Sequence, residues 1–205
     1  MKQNQYIMPA IAAITLAVLF PVYWVGQYWS ISDNPGAQIY DDISGLNLSD
    51  LLLLIIGITT IYVYACVKRF LEDRHAYTGA HIPLTLLMIT CGIFTFGSLS
   101  MDLIMQLFGH QLHLPWHNGA VNGNVILTFS TLIVFGVLDV VLGVILLTKS
   151  AELSPLIKVF AVITIIQGIM EVTVILSPVT FIIFPVALIL LSILFIKQPE
   201  ALDII

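Results

Sequence analysis

The chain has 205 residues, of which 59% are hydrophobic and 9% charged, and its formal net charge is −5. A soluble domain carries about 25% charged residues, so lipid must solvate much of this apolar surface. The basic residues are few and scattered, which excludes a nucleic-acid-binding surface. No segment is long or polar enough for a separate soluble domain. We therefore expect residues 1–205 to form a single membrane domain.

Six apolar runs are long enough to cross a bilayer as helices, which needs about 20 residues each. The runs are continuously apolar rather than alternating, which favours helices over strands. The sequence therefore predicts an all-α, polytopic bundle of six transmembrane helices. The predicted spans are Ile7–Trp29, Leu51–Phe70, Ile82–Phe108, Asn124–Thr148, Pro155–Leu176 and Val179–Ile196. Between the last two, Ser177-Pro178 predicts a tight hairpin, because proline disfavours helix at the preceding residue.

The basic residues predict the orientation of this bundle, because an even number of crossings puts all of them on one side. That side carries Lys2, Lys68, Arg69, Arg74, Lys149, Lys158 and Lys197. The positive-inside rule makes it cytoplasmic, so we expect both termini inside and the protein in a plasma (inner) membrane. Trp24 and Trp29, near the outer end of the first span, fit aromatic anchors at headgroup level.

Three acids fall within the predicted spans, at Asp102, Asp139 and Glu171, whereas lysine and arginine are confined to the span ends. Ionisable groups at membrane depth are costly and are functional candidates by default. Without a resident base, these acids must be protonated and hydrogen-bonded, or matched by a cation or by a partner's basic group.

A polar stripe runs along the third span. Asp102, Gln106 and His110 recur every four residues, so they share one face of a helix. On the fifth span, Gln167 and Glu171 form a shorter stripe at a similar height. If the two faces meet, the two acids, the two amides and up to three histidines surround one outward-facing cavity.

Two further histidines, His113 and His117, follow His110 in the predicted outer loop 109–123, where Pro115 is expected to interrupt the helix. Imidazole and carboxylate suit divalent zinc, copper, iron or nickel, so one interpretation is a divalent metal bound by the three histidines. The spacing matches no specific metalloenzyme signature. There are two alternatives. The histidines could form a proton relay, or they could be headgroup-level residues that hydrogen-bond to backbone or water.

Asp139 belongs to the fourth span, which also carries a smooth stripe of Gly136 and Gly143. Small residues at this spacing predict close packing against another helix. Asp139 is then expected to bond a neighbouring helix, to pair with a partner subunit's base, or to take part in a proton pathway.

These patterns favour an integral membrane binding or transport protein for a cation, proton or small cationic ligand. Its predicted binding residues are Asp102, Gln106, Asp139, Gln167 and Glu171. One alternative is a membrane-embedded, metal-dependent enzyme at the outer interface, although G-x-S-x-G, C-x-x-C and Gly-rich phosphate motifs are absent from the sequence. The other is a non-catalytic subunit or scaffold whose acids pair with a partner. Membrane lipids are the expected surroundings in all three cases.

Overall fold

The computed structural model describes residues 6–33, 46–108, 114–148 and 153–197, which form helices and no β-strand. The helices are α1 (Ile7–Asp33), α2 (Leu48–His75), α3 (His81–Phe108), α4 (Leu114–Thr148), α5 (Pro155–Val172) and α6 (Thr180–Ile196), with a 3₁₀ turn at Ser177–Val179. Six segments, one per helix, are long and apolar enough to cross a membrane. The prediction of an all-α bundle with six membrane-spanning helices is therefore confirmed for the described ranges.

The six helices form a closed ring. Each helix packs against its neighbours in the chain, and α6 returns to pack against α1. The most extensive contact joins α4 to α5, and the next joins α1 to α6. In this ring α4 lies between α3 and α5, so the third and fifth spans are not adjacent.

Helix α2 has the clearest sequence signals at its ends. The Asn47 side chain accepts hydrogen bonds from the backbone N–H groups of Ser49 and Asp50, and the Asp50 side chain accepts one from the Asn47 backbone N–H. This capping box satisfies donors that the first turn of a helix leaves free. Helix α2 extends beyond the predicted Leu51–Phe70 span to His75, and Ala76 ends it with φ 47°.

At one end of the ring, Tyr6 packs against the C-terminal ends of α2 and α6. The Tyr6 ring lies 5.4 Å from Phe70 and 5.9 Å from Phe195, and its hydroxyl donates to Asp73 Oδ2 at 2.9 Å. Burial and then the bond to Asp73 raise the pKa of Tyr6 to about 12, which keeps the hydroxyl protonated. We name this the basic end, after Lys68, Arg69, Arg74, Lys158 and Lys197.

The predicted outer loop 109–123 needs correction. Helix α4 begins at Leu114, so Pro115 stands in its first turn, where the missing N–H costs no hydrogen bond. Pro115 therefore starts a helix rather than interrupting one, and His117 belongs to α4. His110 and His113 lie in residues 109–113, outside the described ranges.

The connection between α5 and α6 also differs from the prediction. Helix α5 ends at Val172 instead of Leu176, and the chain turns through Val174, whose φ is 55°. A β-branched residue is rarely found in this left-handed region. The predicted hairpin at Ser177-Pro178 is a 3₁₀ turn preceded by this irregular segment.

Candidate binding site

Glycines bring α4 and α5 into direct backbone contact. A methyl group built on Gly136 would lie 2.6 Å from the carbonyl oxygen of Gly168, and one on Gly143 would lie 2.6 Å from that of Ala161. Only glycine fits such a close approach of two helices. The predicted packing role of Gly136 and Gly143 is therefore confirmed, and their partner helix is α5.

This contact lets three polar side chains meet in the interior. Gln167 and Glu171 are four residues apart on one face of α5, and Asp139 faces them from α4. The Gln167 amide nitrogen lies 2.9 Å from Asp139 Oδ2 and 2.9 Å from Glu171 Oε1. An amide carries two N–H donors, so one group bridges both acids. We name Asp139 and Glu171 the carboxyl pair; both are over nine-tenths buried.

Two of the four oxygens of the carboxyl pair have no hydrogen-bond partner among the described residues. These are Asp139 Oδ1 and Glu171 Oε2, and both are buried. A buried acceptor without a partner costs about 1–3 kcal/mol, and a charged one costs more. Native proteins keep such groups rare, so each one points to a function or a ligand.

The carboxyl pair faces a cavity of about 390 Å³ at the centre of the helix ring, to which all six helices contribute. The pair lies at one side of the cavity, and Gln27, Ser177 and Pro178 line it toward the end opposite the basic end. Its aromatic lining comes from Phe20, Trp24, Tyr64, Phe94, Phe129, Phe135, Phe181 and Phe184. None of the described residues that line the cavity is a lysine, arginine or histidine.

A stack of three aromatic rings forms part of the cavity wall. The Trp24 ring of α1 lies 5.8 Å from Phe181 of α6 and 6.4 Å from Phe94 of α3, with interplanar angles of 12° and 19°. Trp24, which was expected near headgroup level, has a side chain that lines the cavity. The sequence could not distinguish the two roles, because both place an aromatic ring near the outer end of the span.

The irregular segment after α5 borders the same cavity. Glu171 stands one residue before the helix ends, and the turn through Val174 leads into the cavity-lining residues Ser177 and Pro178. The segment lies between the apolar spans Pro155–Val172 and Ser177–Ile196, so its non-helical backbone does not interrupt a span. A strained conformation such as that of Val174 costs of order 1–3 kcal/mol and is often found at binding sites.

The five predicted binding residues fall into two groups. Asp139, Gln167 and Glu171 meet at the cavity, so Glu171 pairs with Asp139 rather than with Asp102. Asp102 is buried on α3 but does not line the cavity, because α3 contributes Cys91, Phe94 and Thr95, which lie earlier along the helix. Gln106 accepts a hydrogen bond from the Leu46 backbone at 3.3 Å. The third and fifth spans therefore do line one cavity, but Asp102 and Gln106 are not part of its lining, and Asp139 of α4 takes the position predicted for Asp102.

The histidine cluster stays a prediction. His110 and His113 lie outside the described ranges, and although His117 is part of α4, its side chain is not among those described. Within the described part of the chain, no group of three or more His, Cys, Asp or Glu residues is arranged to hold a metal.

Six apolar helices in a closed ring define this chain as an integral membrane protein. No protein family, curated protein or solved structure matches the chain. The functional argument therefore depends on the geometry of the carboxyl pair and its cavity.

Proposed function

We propose that this chain is a membrane binding or transport protein that takes a cation, a proton or a small cationic ligand at the carboxyl pair. The observation that carries the proposal is the pair of unpartnered oxygens, Asp139 Oδ1 and Glu171 Oε2, in a cavity whose described lining has no base. A positively charged ligand satisfies both oxygens and supplies the missing charge.

Electrostatics within the pair supports this function. Asp139 Oδ2 and Glu171 Oε1 each lie 2.9 Å from the same nitrogen, so these oxygens are at most twice that distance apart. Two unit negative charges about 5 Å apart repel by about 3 kcal/mol at an effective dielectric constant of about 20. Simultaneous ionisation of both acids is therefore unfavourable unless a cation enters, and a bound cation is exchanged against at least one proton.

The arrangement of the helices is consistent with transport. By the positive-inside rule the basic end is cytoplasmic, which makes the cavity outward-facing and leaves both termini inside. Helix α5 has 18 residues, or about 27 Å, and its irregular end borders the cavity. Ligand release to the other side then requires the bundle to open at the basic end.

The proposal is tested by electrical measurements on the reconstituted protein. Proteoliposomes adsorbed to a solid-supported membrane receive rapid steps of Na⁺, K⁺, Mg²⁺, pH, methylammonium and 2-phenylethylammonium, and the transient current is recorded. At least one step is expected to give a current that falls at least tenfold in Glu171→Gln. The matched control is Glu72→Gln, the same substitution on an acid whose side chain is 56% exposed.

The current should be unchanged in the Glu72→Gln control. If every cation gives the same response in wild type, in Glu171→Gln and in protein-free liposomes, the proposal is wrong. No specific observation on the described residues favours the metal-dependent enzyme or the scaffold over this function.

A further inference from the structure

We infer that the ligand of the carboxyl pair is an organic ammonium ion that carries N–H donors and an apolar, aromatic-sized body. This inference rests on the proposed function, because it assigns a ligand class to the same cavity. It follows from the donors that the site requires, the volume of the cavity and the rings that line it.

The unpartnered oxygens of the carboxyl pair require hydrogen-bond donors. Asp139 Oδ1 and Glu171 Oε2 can only accept when ionised, and neither is bonded within the described ranges. A primary or secondary ammonium has two or three N–H groups and can bond both oxygens at once. Hydrogen bonds between charged groups are about twice as strong as neutral ones. A quaternary ammonium supplies charge without donors and leaves both oxygens unsatisfied.

A divalent metal ion fits the same residues poorly. Ca²⁺ takes about 6–8 oxygen ligands, and Mg²⁺ requires a nearly octahedral set. The polar groups joined by hydrogen bonds here are two carboxyls and the amide of Gln167, whose nitrogen already bridges the pair. The other polar lining residues are mainly hydroxyls, such as Thr60, Tyr64 and Thr131. No group of three or more candidate metal-binding side chains exists in the described part of the chain.

The volume of the cavity indicates an organic ligand rather than a bare ion. At about 390 Å³ the cavity has the size of a small-molecule site, since such sites span about 300–1,000 Å³. A water molecule occupies about 30 Å³ in the liquid, so an inorganic ion would leave most of this space to water. Walls rich in phenylalanine bind water weakly and favour an apolar ligand body.

The ring stack supplies the surface for that body. Trp24, Phe94 and Phe181 lie in the same cavity as the carboxyl pair and come from three different helices. Aromatic ligand groups stack on such rings, and a nearby ammonium gains from their negative faces. The ammonium is then bound at Asp139 and Glu171, and the apolar body extends toward Trp24.

Calorimetric titration of the full chain tests this assignment. The protein is placed in nanodiscs of phosphatidylcholine, whose headgroup has no N–H donor to compete for the site. The probes are 2-phenylethylamine, methylamine, 2-phenylethanol, trimethyl(2-phenylethyl)ammonium and MgCl₂. We expect 2-phenylethylammonium to bind at least tenfold more tightly than each of the others, because it alone combines charge, donors and an apolar body.

Two variants with matched controls separate the contributions. Glu171→Gln should weaken 2-phenylethylammonium binding at least tenfold, whereas Glu72→Gln should not. Phe181→Ala should weaken it about fivefold or more and leave methylammonium binding unchanged. Its control, Phe96→Ala, removes the same side chain from an exposed position on α3 and should change neither.

The outcomes distinguish this inference from the proposed function. Equal binding of 2-phenylethanol, methylammonium or the quaternary ion overturns the inference. If Na⁺, K⁺ or protons alone give a current that Glu171→Gln removes, the ligand class is wrong and the proposed function stands. If no cation gives such a current and none binds, both are wrong.

Discussion

The closest point between α4 and α5 offers a quantitative test of the geometry that assembles the site. In Gly136→Ala, the new methyl carbon would lie 2.6 Å from the Gly168 carbonyl oxygen and 2.8 Å from the Val172 nitrogen. Carbon–oxygen contacts are normally at least about 3.3 Å, so the helices must separate locally by about 0.7 Å. Overpacking of this kind costs about 1–3 kcal/mol.

The same displacement reaches the site. The bond between Gln167 Nε2 and Asp139 Oδ2 is 2.9 Å long, and an increase of about 0.7 Å would take it beyond hydrogen-bonding range. We therefore expect Gly136→Ala to lower the melting temperature by about 2–12 °C, at about 2–4 °C per kcal/mol for a chain of this size. Cation-induced currents should fall as well, because the carboxyl pair loses its shared donor.

Thermal unfolding in detergent, followed by circular dichroism, measures the first effect. The matched control is Gly92→Ala, where an added methyl group has no neighbour within 4 Å and alanine improves helix propensity by up to about 1 kcal/mol. If Gly136→Ala melts at the same temperature as Gly92→Ala or above it, the two helices do not make the close contact on which the site depends.

Three further substitutions test separate parts of the structure. Gln167→Leu should lower the free energy of unfolding by about 1–3 kcal/mol in chemical denaturation, because two buried acceptors lose their donor. Asn47→Ala should cost about 0.5–2 kcal/mol in the same assay, since α2 loses its cap. Tyr6→Phe should lower the free energy of unfolding by about 0.5–1.5 kcal/mol, because the hydrogen bond to Asp73 is lost. Thermal denaturation of Tyr6→Phe, of Asp73→Asn and of the double variant measures this effect.

Each of these expectations can fail in a specific way. A Gln167→Leu variant as stable as wild type would mean that the amide does not bridge the carboxyl pair. An Asn47→Ala variant no less stable than Asn47→Ser, which keeps a capping oxygen, would exclude the side-chain cap. Full additivity of Tyr6→Phe and Asp73→Asn would contradict their hydrogen bond, because bonded partners show coupling in a double-mutant cycle.

The fold was predictable from sequence because its signals are local. Six apolar runs and the glycines of α4 correspond to physical requirements that are visible within a few residues of sequence. The errors at Pro115 and Val174 also have local causes. A proline is compatible with either the interruption or the start of a helix, and the left-handed turn at a valine has no sequence signal.

The site was only partly predictable, because it depends on which helices are neighbours. Asp139, Gln167 and Glu171 were identified as membrane-depth polar residues, which single-span arguments can do. Pairing Glu171 with Asp139 instead of Asp102 requires knowledge that α4 lies between α3 and α5. Side-chain periodicity indicates the faces of a helix but not its partner, so the predicted pairing of Asp102 with Glu171 was wrong although both spans reach the cavity.

Infrared difference spectroscopy tests the central claim, that a cation binds at the carboxyl pair, most directly. When 2-phenylethylammonium is added to the protein in phosphatidylcholine nanodiscs, the carbonyl band of a protonated carboxyl group should decrease and a carboxylate band should appear. Both changes should disappear in Asp139→Asn and Glu171→Gln and persist in Glu72→Gln. The account would be contradicted if the wild-type spectrum showed neither change with any cation of the same panel. It would also be contradicted if Asp139→Asn and Glu171→Gln gave the same changes as wild type.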